Sequence, residues 1–350
     1  MTAEQFESGE VIMKRFLVLM FLVCMPFFAA CSRDKVNPPG SNGIERGSIA
    51  GSVAGDGGKE GETMKSTTGR VLRTAHGGGR WFPGESKRLG AMVNDFIKRA
   101  DVPEVKGRII GAIAPHAGYV YSGKVAGYTF KAIQDNAARV KAPETVVVLG
   151  FSHRMGFRGV ALMDGDALVT PMGEAQIDME ATRLLAASSK RIIVDYSLHG
   201  EEHSAENEVP FVQAALPGVK IVVGLFGDHD GQSLNDLVMA LSELAKKKRI
   251  LVIASTDMLH DVNYELVAKT DKITLEKLAA MDMDGLIKAW SMDKQIFCGL
   301  MPVLAVMKFA GLQGCKTAEV LHYRNSGDDF PESRGNWVVG YGAAVFAVHE

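Results

Sequence analysis

The chain has 350 residues, with 39 Lys and Arg against 41 Asp and Glu for a formal net charge of −2, and 47% of its residues are apolar. The apolar share is enough for a sizeable core. The near-balanced charge, spread without long single-sign blocks, argues against a nucleic-acid surface. The one basic run, Lys246-Lys247-Lys248-Arg249, directly precedes an apolar strand-like stretch and reads as a solvated helix end.

Near the N-terminus, Lys14-Arg15 leads into the apolar residues 16–28, followed by Ala29-Ala30-Cys31. That core is too short to span roughly 30 Å of hydrocarbon as a helix, and small residues sit where a signal peptidase would cut. Residues 1–31 therefore read as a signal peptide with a lipobox, and Cys31 as the acylated residue that would anchor the protein in the cell envelope, facing the periplasm. Glu4, Glu7 and Glu10 are unlike a basic signal start, which makes Met13 a second candidate initiator. Residues 32–69 are rich in Gly, Ser, Lys and Glu and lack periodic apolar positions, so they read as a flexible tether.

Residues 70–350 read as one α/β domain. Strand-like apolar runs fall at 109–114, 145–149, 220–225, 250–254 and 337–348, several too continuous to be half-exposed. Helical patterns fall between them at 86–100, 123–133, 178–188, 234–247, 271–281 and 301–310. This alternation predicts a layered fold around a largely parallel or mixed sheet. Of the four cysteines, Cys24 lies in the signal core and Cys31 at the lipobox. An oxidising compartment would permit a bond between the remaining pair, Cys298 and Cys315, but the setting of Cys298 points elsewhere.

Chemistry gathers where the strands end. Strand 109–114 runs into Pro115-His116, strand 145–149 into Phe151-Ser152-His153, and strand 250–254 into Asp257 and His260. Carboxyl ends of strands in open α/β sheets are where ligands bind, so three histidines at one edge point to a metal or acid–base site. Cys298 precedes an apolar helix with Pro302 in its first turn, a position where helix N–H groups would stabilise a thiolate. Glu201-Glu202-His203-Ser204-Ala205-Glu206-Asn207-Glu208 reads either as a solvated helix start capped by Ser204 or as a second cluster with His203 and Glu206 on one side of a turn.

Taken together, the segments Pro115-His116-Ala117-Gly118-Tyr119-Val120-Tyr121-Ser122-Gly123, Leu149-Gly150-Phe151-Ser152-His153, Thr170-Pro171-Met172-Gly173, Glu202-His203-Ser204 with Glu206, Ser255-Thr256-Asp257-Met258-Leu259-His260 and Cys298-Gly299 resemble, in order, the Memo family, called AmmeMemoRadiSam protein B in prokaryotes. The resemblance implies a three-layer α/β/α fold like that of class III extradiol dioxygenases. It implies metal ligands at His116, His153 and Cys298, with His260 and Asp257 beside them and His203 at the rim; in an oxidoreductase His260 would be the acid/base, oriented by Asp257. Two departures alter the wall of the site. Arg154 stands where the family often has a second histidine, and Phe151 stands where proline is usual.

A thiolate in place of the dioxygenase carboxylate suits Fe(II), favoured here, with Cu or Zn as alternatives. The expected function is a mononuclear non-haem oxidoreductase acting on a small molecule. One alternative is a metal-binding lipoprotein without turnover; another is a thiol hydrolase pairing Cys298 with His260. A serine hydrolase is disfavoured: His76-Gly77-Gly78-Gly79 resembles an oxyanion loop, yet the chain has no Gly-x-Ser-x-Gly elbow.

Overall fold

The computed structural model describes residues 64–65 and 69–349. The signal, lipobox and nearly all of the expected tether lie outside the described residues. Strand β1 (Met64–Lys65) pairs antiparallel with β2 (Val71–Thr74), so ordered pairing starts inside the segment read as a tether and ahead of the expected boundary at residue 70.

The elements then follow as α1 (Ser86–Arg99), β3 (Arg108–Ala114), α2 (Tyr119–Arg139), β4 (Thr145–Phe151), β5 (Val160–Leu162), β6 (Ala167–Thr170), β7 (Gly173–Gln176), α3 (Met179–Ala186), β8 (Ile192–Val194), α4 (Val209–Ala215), β9 (Lys220–Phe226), α5 (Gly231–Ala245), β10 (Ile250–Ser255), β11 (His260–Asp261), α6 (Tyr264–Ala279), α7 (Met283–Ala289), α8 (Leu300–Leu312), β12 (Ala318–Asn325), α9 (Ser326–Asp329) and β13 (Val338–Val348). The central sheet runs β11-β13-β3-β10-β4-β9-β5-β8, with β12 paired to β13. Its middle four strands, β3, β10, β4 and β9, are mutually parallel, while β13 and β5 flank them antiparallel. A four-stranded sheet, β1-β2-β6-β7, lies apart from this path.

Alternation along the middle strands builds the three layers. Successive side chains of a strand point to opposite faces. Ile110, Val147, Leu149, Val222, Val252 and Ala254 accordingly pack with α5 and α8. Ile109, Val146, Val148, Val223 and Ile253 pack on the other side with α1, α2 and α4. Both faces being covered explains why these strands read as continuous apolar runs. The architecture is the expected α/β/α with a mixed, centrally parallel sheet.

In the Lys246–Arg249 run, which follows the end of α5 as expected with Lys246 and Lys247 exposed, Lys248 departs from the expected role. Lys248 Nζ reaches the buried Asp178 at 2.7 Å and Glu180 at 2.9 Å, so it ties the start of α3 to the end of α5 rather than sitting in solvent.

Candidate metal centre

The parallel middle of the sheet places three chain segments at one edge. His116 follows β3 by two residues, His153 follows β4 by two, and Ser255 closes β10 ahead of Thr256 and Asp257. Cys298 comes to the same place from the loop before α8. Its backbone N–H donates to Asp257 O at 3.2 Å, and Asp257 N–H donates to Cys298 Sγ at 3.3 Å, so the two loops are clasped to each other.

His116, His153 and Cys298 each offer one ligand atom within 4.8 Å of the others. His116 Nε2 lies 3.5 Å from Cys298 Sγ. The outer nitrogens are engaged elsewhere: His116 Nδ1 lies 3.1 Å from Ser255 Oγ and His153 Nδ1 lies 3.1 Å from Glu202 Oε1. Metal-binding imidazoles characteristically have their second nitrogen held in this way. Glu202 and His203 form a second group of donors with His153, also within 4.8 Å.

Electrostatics reinforce the cluster. Burial pushes the Cys298 thiol up, but His116 and His153 override this and hold it well below its usual value as a thiolate. Burial likewise pulls both histidines down, and the thiolate, with Asp257 beside His116 and Glu202 beside His153, lifts them to about 9 and about 10. A thiolate flanked by two imidazoles is a soft, anionic donor set whose charge either protons or a metal cation can balance, so the residues fit a metal ion.

The remaining expected site residues sort differently. Asp257 accepts from the backbone N–H groups of His116 at 2.9 Å and Ala117 at 3.2 Å, with its other oxygen 3.9 Å from His116 Nε2. It secures the His116 turn and makes no hydrogen bond to His260. His260 lies on β11, which pairs with β13; its ring is 6.1 Å from Trp337, and its buried Nε2 lacks a hydrogen-bond partner. His203, expected at the rim, instead sits 5.4 Å from both His116 and His153, its ring stacked flat on Trp81 at 3.9 Å. Burial and the neighbouring His116 hold it below its usual basicity.

Two local expectations are corrected. Helix α8 begins at Leu300 with Gly299 as its cap residue, and the N–H of Gly299 goes to Thr256 Oγ1 at 2.9 Å. The thiolate is therefore served by the Asp257 amide rather than by the helix end. The acidic cluster is neither a capped helix start nor a single face: Ser204 Oγ donates to Phe151 O, Glu202 turns to His153, Glu206 to His76 at 3.6 Å, and Glu208 to Ser255. Cys298 and Cys315 are both buried free thiols.

Sequence reasoning missed Trp81, Ser255 and Glu208 as parts of the site. Ser255 lay within a quoted motif, and Glu208 within a flagged cluster; Trp81 gave no signal of its own.

Fold and site together describe an α/β protein with a histidine–cysteine cluster, able to hold a metal ion, at the carboxyl edge of a mixed sheet. The chain belongs to the Memo-like protein family, whose profile matches residues 73–345. A MEMO1 family protein of Nitrosopumilus maritimus is 32% identical over 273 residues, covering 77% of this chain and 97% of that one. Another from Methanopyrus kandleri is 31% identical over 281 residues, covering 77% and 96%. A solved structure of an uncharacterized protein from Escherichia coli K12 aligns with a TM-score of 0.42 and 11% identity over 67% of this chain and 99% of that one.

Proposed function

We propose that the domain is a metal-dependent oxidoreductase in which His116, His153 and Cys298 hold one ion, Fe(II) in first place and Cu or Zn as alternatives. The observation that carries this reading is the convergence of two imidazoles and a thiolate within 4.8 Å, with both outer nitrogens held by Ser255 and Glu202. When bound, Fe(II) or Cu would supply a redox-active Lewis acid at which a small substrate can be activated, and Zn the Lewis acid alone.

The surrounding residues take roles fixed by their contacts. Asp257 keeps His116 in place through the backbone. Among His203, His260 and Asp257, the geometry favours His203 for moving a proton, since its ring lies 5.4 Å from that of each histidine ligand, is held flat by Trp81, and is kept neutral at pH 7. The test is metal analysis of protein purified without added metal, followed by oxygen uptake of Fe(II)-loaded protein with catechol-like compounds. Bound metal with substrate-dependent uptake supports the reading, and a metal-free, inert protein overturns it.

One observation favours metal binding without turnover: His116 is 3% and Cys298 6% exposed, leaving His153 as the only one of the three open to solvent. Tight Cu(I) binding with no oxygen uptake would select that reading. For a thiol hydrolase, the base would be His116 rather than His260, and rapid alkylation of Cys298 despite bound metal would be required. The domain is assigned to the cell envelope, lipid-anchored through Cys31 and facing the periplasm, on the signal pattern alone.

A further inference from the structure

Behind His116 lies a buried hydrogen-bond junction whose protons can be counted. Ser255 Oγ has three polar neighbours: Ser204 O at 2.5 Å, Glu208 Oε1 at 2.8 Å and His116 Nδ1 at 3.1 Å. A hydroxyl carries one proton and accepts with its lone pairs. The Ser204 carbonyl can only accept, and at 2.5 Å it takes that proton. Glu208 Oε1 and His116 Nδ1 must therefore both donate to Ser255.

We infer that Glu208 is held as a neutral carboxylic acid that donates to Ser255 and, through that hydroxyl, fixes His116 with its proton on Nδ1 and its Nε2 toward Cys298. Glu208 is a positioning residue in this scheme, acting on the proposed metal centre through Ser255. An ionised Glu208 would compete with Ser204 O for the single proton of Ser255, and one of two close oxygen pairs would then face each other with no hydrogen between them. Its other oxygen, Oε2, is buried without a partner. A carbonyl oxygen tolerates that position far better than a charged carboxylate oxygen does. Burial pushes the Glu208 carboxyl up to about 8, in agreement with the proton count.

Neutrality makes a sharp contrast between variants. Glu208→Gln keeps shape, neutrality and an N–H donor for Ser255, whereas Ser255→Ala removes the group that holds His116 Nδ1. Three measurements decide the matter. Infrared difference spectra of the metal-free protein at pH 6.5 should show a protonated-carboxyl band in wild type that Glu208→Gln lacks. Nitrogen-15 NMR of the Zn(II)-loaded proteins, in which the ion displaces the Nε2 proton, should show His116 bearing its proton on Nδ1 in both. Co(II) titration, used as a spectroscopic probe ion, should give Glu208→Gln an affinity within about twofold of wild type, and Ser255→Ala an affinity about 10- to 100-fold weaker.

Absence of the carboxyl band from wild type, or a Glu208→Gln protein as weak for Co(II) as Ser255→Ala, overturns the inference. If wild type binds no metal at all, the metal reading fails alone, because the infrared result on metal-free protein still decides whether Glu208 is neutral. The infrared and nitrogen-15 comparison of wild type with Glu208→Gln also decides should Ser255→Ala fail to fold.

Discussion

Glu202 grips His153 at two points, accepting the backbone N–H at 2.7 Å on Oε2 and facing ring Nδ1 at 3.1 Å on Oε1. The same Oε1 accepts the N–H groups of His203 at 3.0 Å and Ser204 at 2.9 Å. One buried carboxylate thus sets both the ring plane of a candidate ligand and the turn that carries its neighbour. These contacts, with the charged His153 beside it, keep Glu202 far below the usual carboxylate range in spite of burial. Glu202→Ala should free His153 and weaken metal binding about 10- to 100-fold, read by competition with a chelator of known affinity. Wild-type affinity would show that His153 is oriented by something else.

The three proposed ligands and the two flanking histidines should separate cleanly. His116→Ala, His153→Ala and Cys298→Ala each leave two protein donors and should lose most bound metal in elemental analysis. His260→Ala should retain wild-type metal content, since it belongs to neither group of converging donor atoms. His203→Ala should also keep its metal but lower any turnover about 10²- to 10⁴-fold, the usual contribution of a proton-transfer group. Full occupancy in Cys298→Ala would break the three-ligand scheme.

The contrast between His260 and His203 shows what the sequence could and could not convey. Apolar runs marked the buried middle strands to within a residue or two, because strands covered on both faces need no polar alternation. The short strands β5 to β8 and β11 were not legible, as two to four residues carry no periodicity. For the same reason His260 looked like a third converging histidine, when it sits on a two-residue strand paired with β13 and joins neither group of donor atoms. His203 depends on an irregular turn that is held by side chains from elsewhere in the chain, and no local pattern encodes such a turn. Glu208 and Ser255 meet across 47 residues, a relationship that only the folded chain creates.

Gly150 links strand packing to the site. A methyl group there would stand 2.8 Å from the backbone nitrogen of Ala205, in the turn that follows Glu202 and His203. Backbone cannot give way as a side-chain tip can. Gly150→Ala should therefore displace that turn, costing roughly 1–3 kcal/mol in denaturant unfolding as overpacking does, and it should weaken metal binding in step. Unchanged stability together with unchanged affinity would show that the turn is free to shift.

The envelope assignment has its own test. If Ala29-Ala30-Cys31 is a working lipobox, Cys31→Ser should abolish acylation and move the protein from the membrane fraction to the soluble one. Fractionation identical to wild type, with the segment still cleaved, would argue for plain secretion.

Asp271, on α6, provides a pH signature independent of the metal centre. Its carboxyl is fully buried, accepting the Leu259 N–H at 3.2 Å and lying 2.8 Å from the Tyr323 hydroxyl, and burial pushes it up to about 7 against the pull of both contacts. An unfolded aspartate titrates near 3.9. Between those values the folded chain holds a proton that the unfolded chain has released, so this contribution to stability is complete below about pH 4 and is lost as pH rises through 7. A shift of that size corresponds to roughly 1–4 kcal/mol, with the upper end a ceiling. Urea unfolding at pH 5 and pH 8 should show wild type losing stability on going to the higher pH. Asp271→Asn, the neutral isostere, should lose less. Glu208 pushes in the same direction, so the difference between the two proteins isolates Asp271. An identical pH slope in wild type and variant would mean that the folded carboxyl is already ionised at pH 5, with its charge carried by Tyr323 and the Leu259 amide.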